Sequence, residues 1–132
     1  MQDNELIIRS AATDLTADMA VAYKDLGSPS RGNLKVRIVV PEMAETDDTI
    51  VPTLHLSIDG SGAGEIQVVG ETITKAGVDG GRFQYFIDIP ACEYDYVGVA
   101  LDITDADTGT DFDAGGVEVA IVPATQYDDH TR

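Results

Sequence analysis

The chain predicts an all-β domain: a two-sheet antiparallel β-sandwich of about eight strands. Two observations carry that prediction. Apolar residues recur with a period of two along most of the chain, and glycine, proline and Asx-rich turns fill the gaps between the runs. A period of two is the spacing of a strand with one buried face.

The clearest alternation is Asn33 to Val40, where Leu34, Val36, Ile38 and Val40 share one face while Lys35 and Arg37 take the other. Leu54, Leu56 and Ile58 alternate with Thr53, His55 and Ser57. Phe83, Tyr85, Ile87 and Ile89 alternate with Arg82, Gln84 and Asp88. Val97, Val99, Leu101 and Ile103, then Val117, Val119 and Ile121, complete the strong set, and Glu5–Arg9, Glu65–Val69 and Glu71–Lys75 add shorter strands. Turns are expected at Gly27 to Ser30, Pro41, Asp59 to Gly64, Asp79 to Gly81, Pro90 and Gly115-Gly116. The best helical stretch is Ala11 to Lys24, whose apolar Leu15, Met19 and Val21 make an irregular stripe; it reads equally as an extended arm. Val39, Phe86 and Val122 break the alternation on polar faces, as sheet-edge filler in the first reading and as a docking patch in the second.

A length of 132 residues fits one core. The expected division is residues 1–24 as an N-terminal arm with a first short strand, 25–125 as the sandwich and 126–132 as a polar tail. Hydrophobic residues at 43% and charged residues at 24% are the balance of a folded chain rather than a disordered one. The single cysteine, Cys92, excludes an intrachain disulfide, which points to a reducing compartment. Acidic residues stand where a signal peptide carries basic ones, and no apolar run approaches the ~20 residues of a membrane span, so neither export nor membrane embedding is expected.

The net charge of −16 repels phosphate backbones and anionic lipid headgroups, so no direct nucleic-acid and no membrane partner is expected. The charge is uneven. Residues 1–40 hold five basic and five acidic residues, whereas 41–132 hold three basic and nineteen acidic. Unless the fold mixes these segments, an electrically two-sided molecule follows, with the near-neutral segment 1–40 nearest any partner.

The candidate sites are weak on their own chemistry. Asp105, Asp107, Asp111 and Asp113 alternate as calcium ligands do, but Gly109 stands at a ligand position and no glutamate closes the loop; Glu45, Asp47 and Asp48 are weaker. Gly60, Gly62 and Gly64 precede a strand rather than the helix that a phosphate loop feeds, and no lysine follows. The two histidines, His55 in mid-strand and His130 in the tail, offer no positioned base for a nucleophile such as Ser57. Cys92 lies beside Glu93 and Asp95, which disfavour its thiolate. No tryptophan is present, and Tyr85, Tyr94 and Tyr96 fall near core strands, which leaves no aromatic platform for a sugar. The reading is therefore no catalytic residue, no cofactor site, no metal site and no enzyme.

In order along the chain, Leu15-Thr-Ala-Asp-Met-Ala, Asp25-Leu-Gly27, the strand Leu34 to Val40 and Thr53-Leu-His-Leu-Ser-Ile-Asp59 are followed by Ile87-Asp-Ile-Pro90, Tyr96-Val-Gly-Val-Ala-Leu101 and Phe112-Asp-Ala-Gly115-Gly-Val-Glu-Val119. This series, covering most of the chain, resembles the small jelly-roll capsid cement, or decoration, proteins of tailed bacteriophages of the Bordetella-phage type. The resemblance implies a jelly-roll-like sandwich without enzymatic chemistry, made in the host cytoplasm and resident on the outer surface of the virion capsid. It implies the major capsid protein as partner, and a homodimer or homotrimer that clamps neighbouring subunits at a local symmetry axis. The acidic loops and the extension Met1–Ser10 depart from that pattern. Physical reasoning runs parallel to the resemblance, because many copies of a stiff sandwich spanning weak shell contacts add their binding energies, and an N-terminal arm suits strand addition to a neighbour. The alternative readings are a carbohydrate- or surface-binding sandwich module, and a small β-sandwich enzyme or calcium-binding domain.

Overall fold

The alternating runs fold as strands. The computed structural model describes residues 7–10, 14–15, 18–26, 34–43, 48–61, 66–90, 93–104 and 114–123. Among these, the chain forms β1 (Ile7–Arg9), β2 (Asp14–Leu15), β3 (Met19–Asp25), β4 (Leu34–Val39), β5 (Thr49–Ser57), β6 (Ile66–Val69) and β7 (Ile73–Thr74). After a one-turn helix α1 (Lys75–Asp79) come β8 (Gln84–Ile89), β9 (Tyr96–Thr104), β10 (Ala114–Gly116) and β11 (Glu118–Pro123). The strands beyond the expected eight are β2, β3 and β10.

Sheet 1 has the order β1-β11-β4-β8 and sheet 2 the order β3-β9-β5-β6, with β7 pairing the start of β5 and β2 pairing β10 apart. Every pairing is antiparallel. With β7 set aside, the eight strands of the two large sheets pair as in one long hairpin: first with last (β1–β11), second with seventh (β3–β9), third with sixth (β4–β8) and fourth with fifth (β5–β6). Successive pairs fall in alternate sheets, which wraps that hairpin around the core. This is the jelly-roll order, an all-β solution with two Greek keys.

The core is the interleaving of the two inner faces. Leu54, Leu56, Val97, Val99 and Leu101 from sheet 2 join Val36, Ile38, Ile87, Ile89, Val119 and Ile121 from sheet 1 in one buried cluster. Removing each Leu, Ile or Val side chain from water contributes about 1.5–3 kcal/mol, which is what makes the period-two pattern decide the register.

Pro52 sits inside β5, a central strand, where its missing N–H would break a ladder bond. The chain places that gap opposite Gly70, between β6 and β7, and only the Gly70 N–H is used there, donating to the Pro52 carbonyl at 2.7 Å. A side chain at Gly70 would meet Ile87 Cδ1 at 2.8 Å and Pro52 at 3.0 Å, so the edge of sheet 2 closes against β8 only through a glycine.

Several expectations are corrected. The helical stretch 11–24 instead supplies β2 and most of β3: β3 pairs β9, and a register shift between Met19 and Ala22 disguises its alternation as a helical stripe. The boundary drawn at residue 25 falls on the last residue of β3, and β1 and β3, on its N-terminal side, pair within the two large sheets. Ile58 does not continue the inward set of β5. The strand ends at Ser57, which is fully buried, and Ile58 is 59% exposed. Phe83 precedes β8 and is exposed. Only Ile73 and Thr74 of the run Glu71–Lys75 are strand, because Thr74 Oγ1 accepts the Gly77 N–H at 3.2 Å and caps α1. Val122 is buried and is filler. The near-neutral segment 1–40 supplies β1 and β4 to sheet 1 and β3 to sheet 2, so it does not form one side of the molecule.

Candidate protein-docking face

The outer face of sheet 2 is assembled by register. Tyr23 of β3 lies opposite Gly98 of β9, Gly98 opposite His55 of β5, and His55 opposite Gln67 of β6. The next row holds Ala100, Thr53 and Val69, beside Val21. Gly98 is what lets this face close. A Cβ there would stand 2.7 Å from Tyr23 Cδ1 and 2.8 Å from Val21 Cγ2, so the tyrosine ring and the valine lie flat across the glycine. Val69 is 67% exposed and Val21 37%, while Tyr23, Thr53, His55 and Ala100 are half-buried.

These eight residues carry no formal charge with histidine neutral, on a chain of net charge −16. Among the described residues of these strands, charge returns at the ends of the face, at Asp25 and Asp102. Sheet 1 is dressed differently. On its outer side Arg37 Nη2 donates to Glu118 Oε1 at 2.7 Å, and the Lys35 ammonium stands 4.7 Å from the centre of the Phe86 ring. A flat, neutral surface of aromatic and β-branched side chains loses little hydration energy when it meets another protein, whereas the ionic side must strip its charges.

A third cluster closes the corner between β7 and β8. Arg82 forms a two-pronged ion pair with Glu71, both contacts at 2.6 Å, and its guanidinium lies 4.5 Å from the Tyr85 ring centre. The hydrogen bond from Arg82 lowers the pKa of the Glu71 carboxyl, and the same bond raises that of Arg82. Burial raises the Tyr85 phenol, whose hydroxyl donates to the Arg82 carbonyl at 3.0 Å. Gly81, Arg82, Phe83 and Gln84 line a shallow depression beside it. Every partner in this cluster is spent on the turn, which makes it a clasp for the corner.

The structure places the other sequence candidates as follows. Ser57 is fully buried; its hydroxyl accepts the Asp59 and Gly60 N–H groups at 3.3 and 3.1 Å and donates to Asp59 Oδ1 at 3.3 Å, so it holds the turn after β5. His55 lies in the row described above, and Asp48 is buried just before β5. Tyr85 is core, and Tyr94 and Tyr96 are half-buried. The acidic loop Asp105–Asp113, together with Glu45, Asp47, Gly62, Gly64, Cys92, His130 and the tail 126–132, lies outside the described residues. Among the described residues no group of three or more His, Cys, Asp and Glu is placed to hold a metal ion. Among the described residues no helix is long and apolar enough to cross a membrane.

Of the docking residues named from sequence, Phe86 is exposed on sheet 1 and Val39 is half-buried there; neither belongs to the neutral face. Sequence reading missed Val21, Tyr23 and Val69. One signal was present: a glycine inside the run Tyr96-Val-Gly-Val-Ala-Leu101 marks a close approach in a strand. The chain matches no protein-family model and no curated protein.

Proposed function

We propose that this chain is a capsid cement protein, a structural clamp bound to the outer surface of a phage head across neighbouring major capsid subunits. The observation that carries the reading is the division of the surface: a neutral outer face on sheet 2 of an otherwise strongly acidic jelly roll. A rigid sandwich with one low-charge face is suited to seating on a protein lattice, while its acidic remainder keeps free copies apart in solution. The sequence resemblance points to the same role. Each copy needs only weak contacts, because two or more copies about a local symmetry axis, as a homodimer or homotrimer, grip different subunits and their energies add.

The test is addition of purified chain to heads grown without it, followed by sedimentation and thermal release of the genome. The proposal expects saturable binding to heads and a higher release temperature. Heads that take up no chain, or take it up with unchanged release, refute it.

A further inference from the structure

A sandwich leaves strand edges, and each is a template for another chain unless something blocks it. Among the described residues, three of the four edge strands of the two large sheets carry a block. β1 is three residues long, shifts register between Ile7 and Arg9 and ends on that arginine. β3 shifts register between Met19 and Ala22 and ends in Lys24 and Asp25. β8 presents Asp88, exposed among its outward residues. β6 carries none of these: Ile66-Gln67-Val68-Val69 has no charge, no proline and no shift in its pairing with β5, and all four residues are exposed.

The direction of its hydrogen bonds follows from Gly70. Because the Gly70 N–H donates to the Pro52 carbonyl, antiparallel alternation turns Val68 toward β5 and the Val69 N–H and C=O away from it. Val69 also belongs to the neutral face, so a strand added at β6 would widen that face without a break.

We propose that β6 accepts an extended, neutral-to-basic segment of the shell subunit as an added antiparallel strand; the identity of that partner rests on the cement reading above. Charge selects this occupant. Two copies meeting edge to edge bring together two bodies of net charge −16, whereas a neutral or basic segment meets no such repulsion. The same charge opposes edge-to-edge pairing of two copies.

The experiment uses the full chain and two variants. Val69→Pro removes the outward N–H while sparing the bonds that β6 makes to β5, and Val69→Thr keeps the N–H with a similar side chain; thermal melting confirms that each is folded. Binding to heads grown without the chain is measured for all three. Hydrogen exchange at the Val69 amide is followed on heads, and with a capped eight-residue peptide of alternating valine and threonine with lysine at each end. The proposal expects wild type and Val69→Thr to bind alike, Val69→Pro to bind about tenfold more weakly or worse, and heads and peptide both to slow Val69 exchange, since losing one well-made hydrogen bond costs about 1.4 kcal/mol. If wild type binds heads with Val69 exchange unchanged, or Val69→Pro binds as wild type does, strand addition is overturned while the cement reading stands. If heads take up no chain but the peptide protects Val69, the shell partner is overturned and the edge stands. If protection appears with chain concentration alone, the occupant is a second copy and the proposal falls.

Discussion

Gly98→Ala tests the geometry of the neutral face most sharply. Its new Cβ would lie 2.7–2.8 Å from Tyr23 Cδ1 and Cε1 and Val21 Cγ2, distances that real Cβ contacts do not show, so the ring must lift from the sheet. Overpacking of this kind costs about 1–3 kcal/mol. The lost freedom of the unfolded glycine offsets about 0.4–1 kcal/mol of that, leaving a net loss of about 0.5–2 kcal/mol. For a domain of this size the loss is a drop of very roughly 2–10 °C in Tm. The assay is thermal unfolding followed by circular dichroism, on Gly98→Ala, Tyr23→Ala and the double variant. Removing the ring first should relieve most of the clash, so the two substitutions should couple by about 1 kcal/mol. An equal cost for Gly98→Ala in both backgrounds would show that Tyr23 does not lie across the glycine, and the neutral face would lose its aromatic centre.

Further outcomes follow from the same structure. Leu54→Ala opens a cavity in a fully buried site between the sheets and should cost about 2–5 kcal/mol by urea unfolding, against near zero for Ile58→Ala, which is mostly exposed. Deleting residues 1–10 removes β1 and uncovers the edge of β11, so the truncated chain should melt well below the intact one; an unchanged Tm would mean that the segment is a loose arm after all. The folded Glu71 carboxyl has a lowered pKa, so the pair with Arg82 contributes fully above the unfolded value near ~4.3 and is lost as pH falls through the folded value. Glu71→Gln should therefore flatten a small part of the acid-side decline in Tm, an effect that moderate salt reduces because the pair is exposed. With a net charge of −16, the isolated chain should gain Tm between low and physiological sodium chloride, over which the screening length contracts to ~8 Å.

The strands β4, β5, β8, β9 and β11 were legible because apolar core residues recur at alternate positions along each, such as Val36 and Ile38, Leu54 and Leu56, or Val119 and Ile121. Their neighbours were not. A period of two tells which way Val119 points, but nothing in it says that β11 lies between β1 and β4, since both pairings join strands far apart in the chain, such as Ile7 with Ala120 and Ile38 with Val119. The neutral face was hidden for the same reason: Tyr23, Gly98, His55 and Gln67 come from four strands and meet only through register. β3 was further masked by its irregular pairing, which moves Val21 and Tyr23 onto the outer face while the apolar spacing imitates a helix. The Arg82–Glu71 clasp left no trace either, because two side chains that touch stand eleven positions apart, across strand, helix and turn.

Quantitative mass spectrometry of purified heads, paired with heat release from heads with and without the chain, tests the cement proposal most directly. The account predicts many copies of the chain per head, in fixed ratio to the major capsid protein, and genome release at a lower temperature when the chain is missing. Heads that contain none of it, or that fail to assemble without it, would contradict a clamp added to a finished shell.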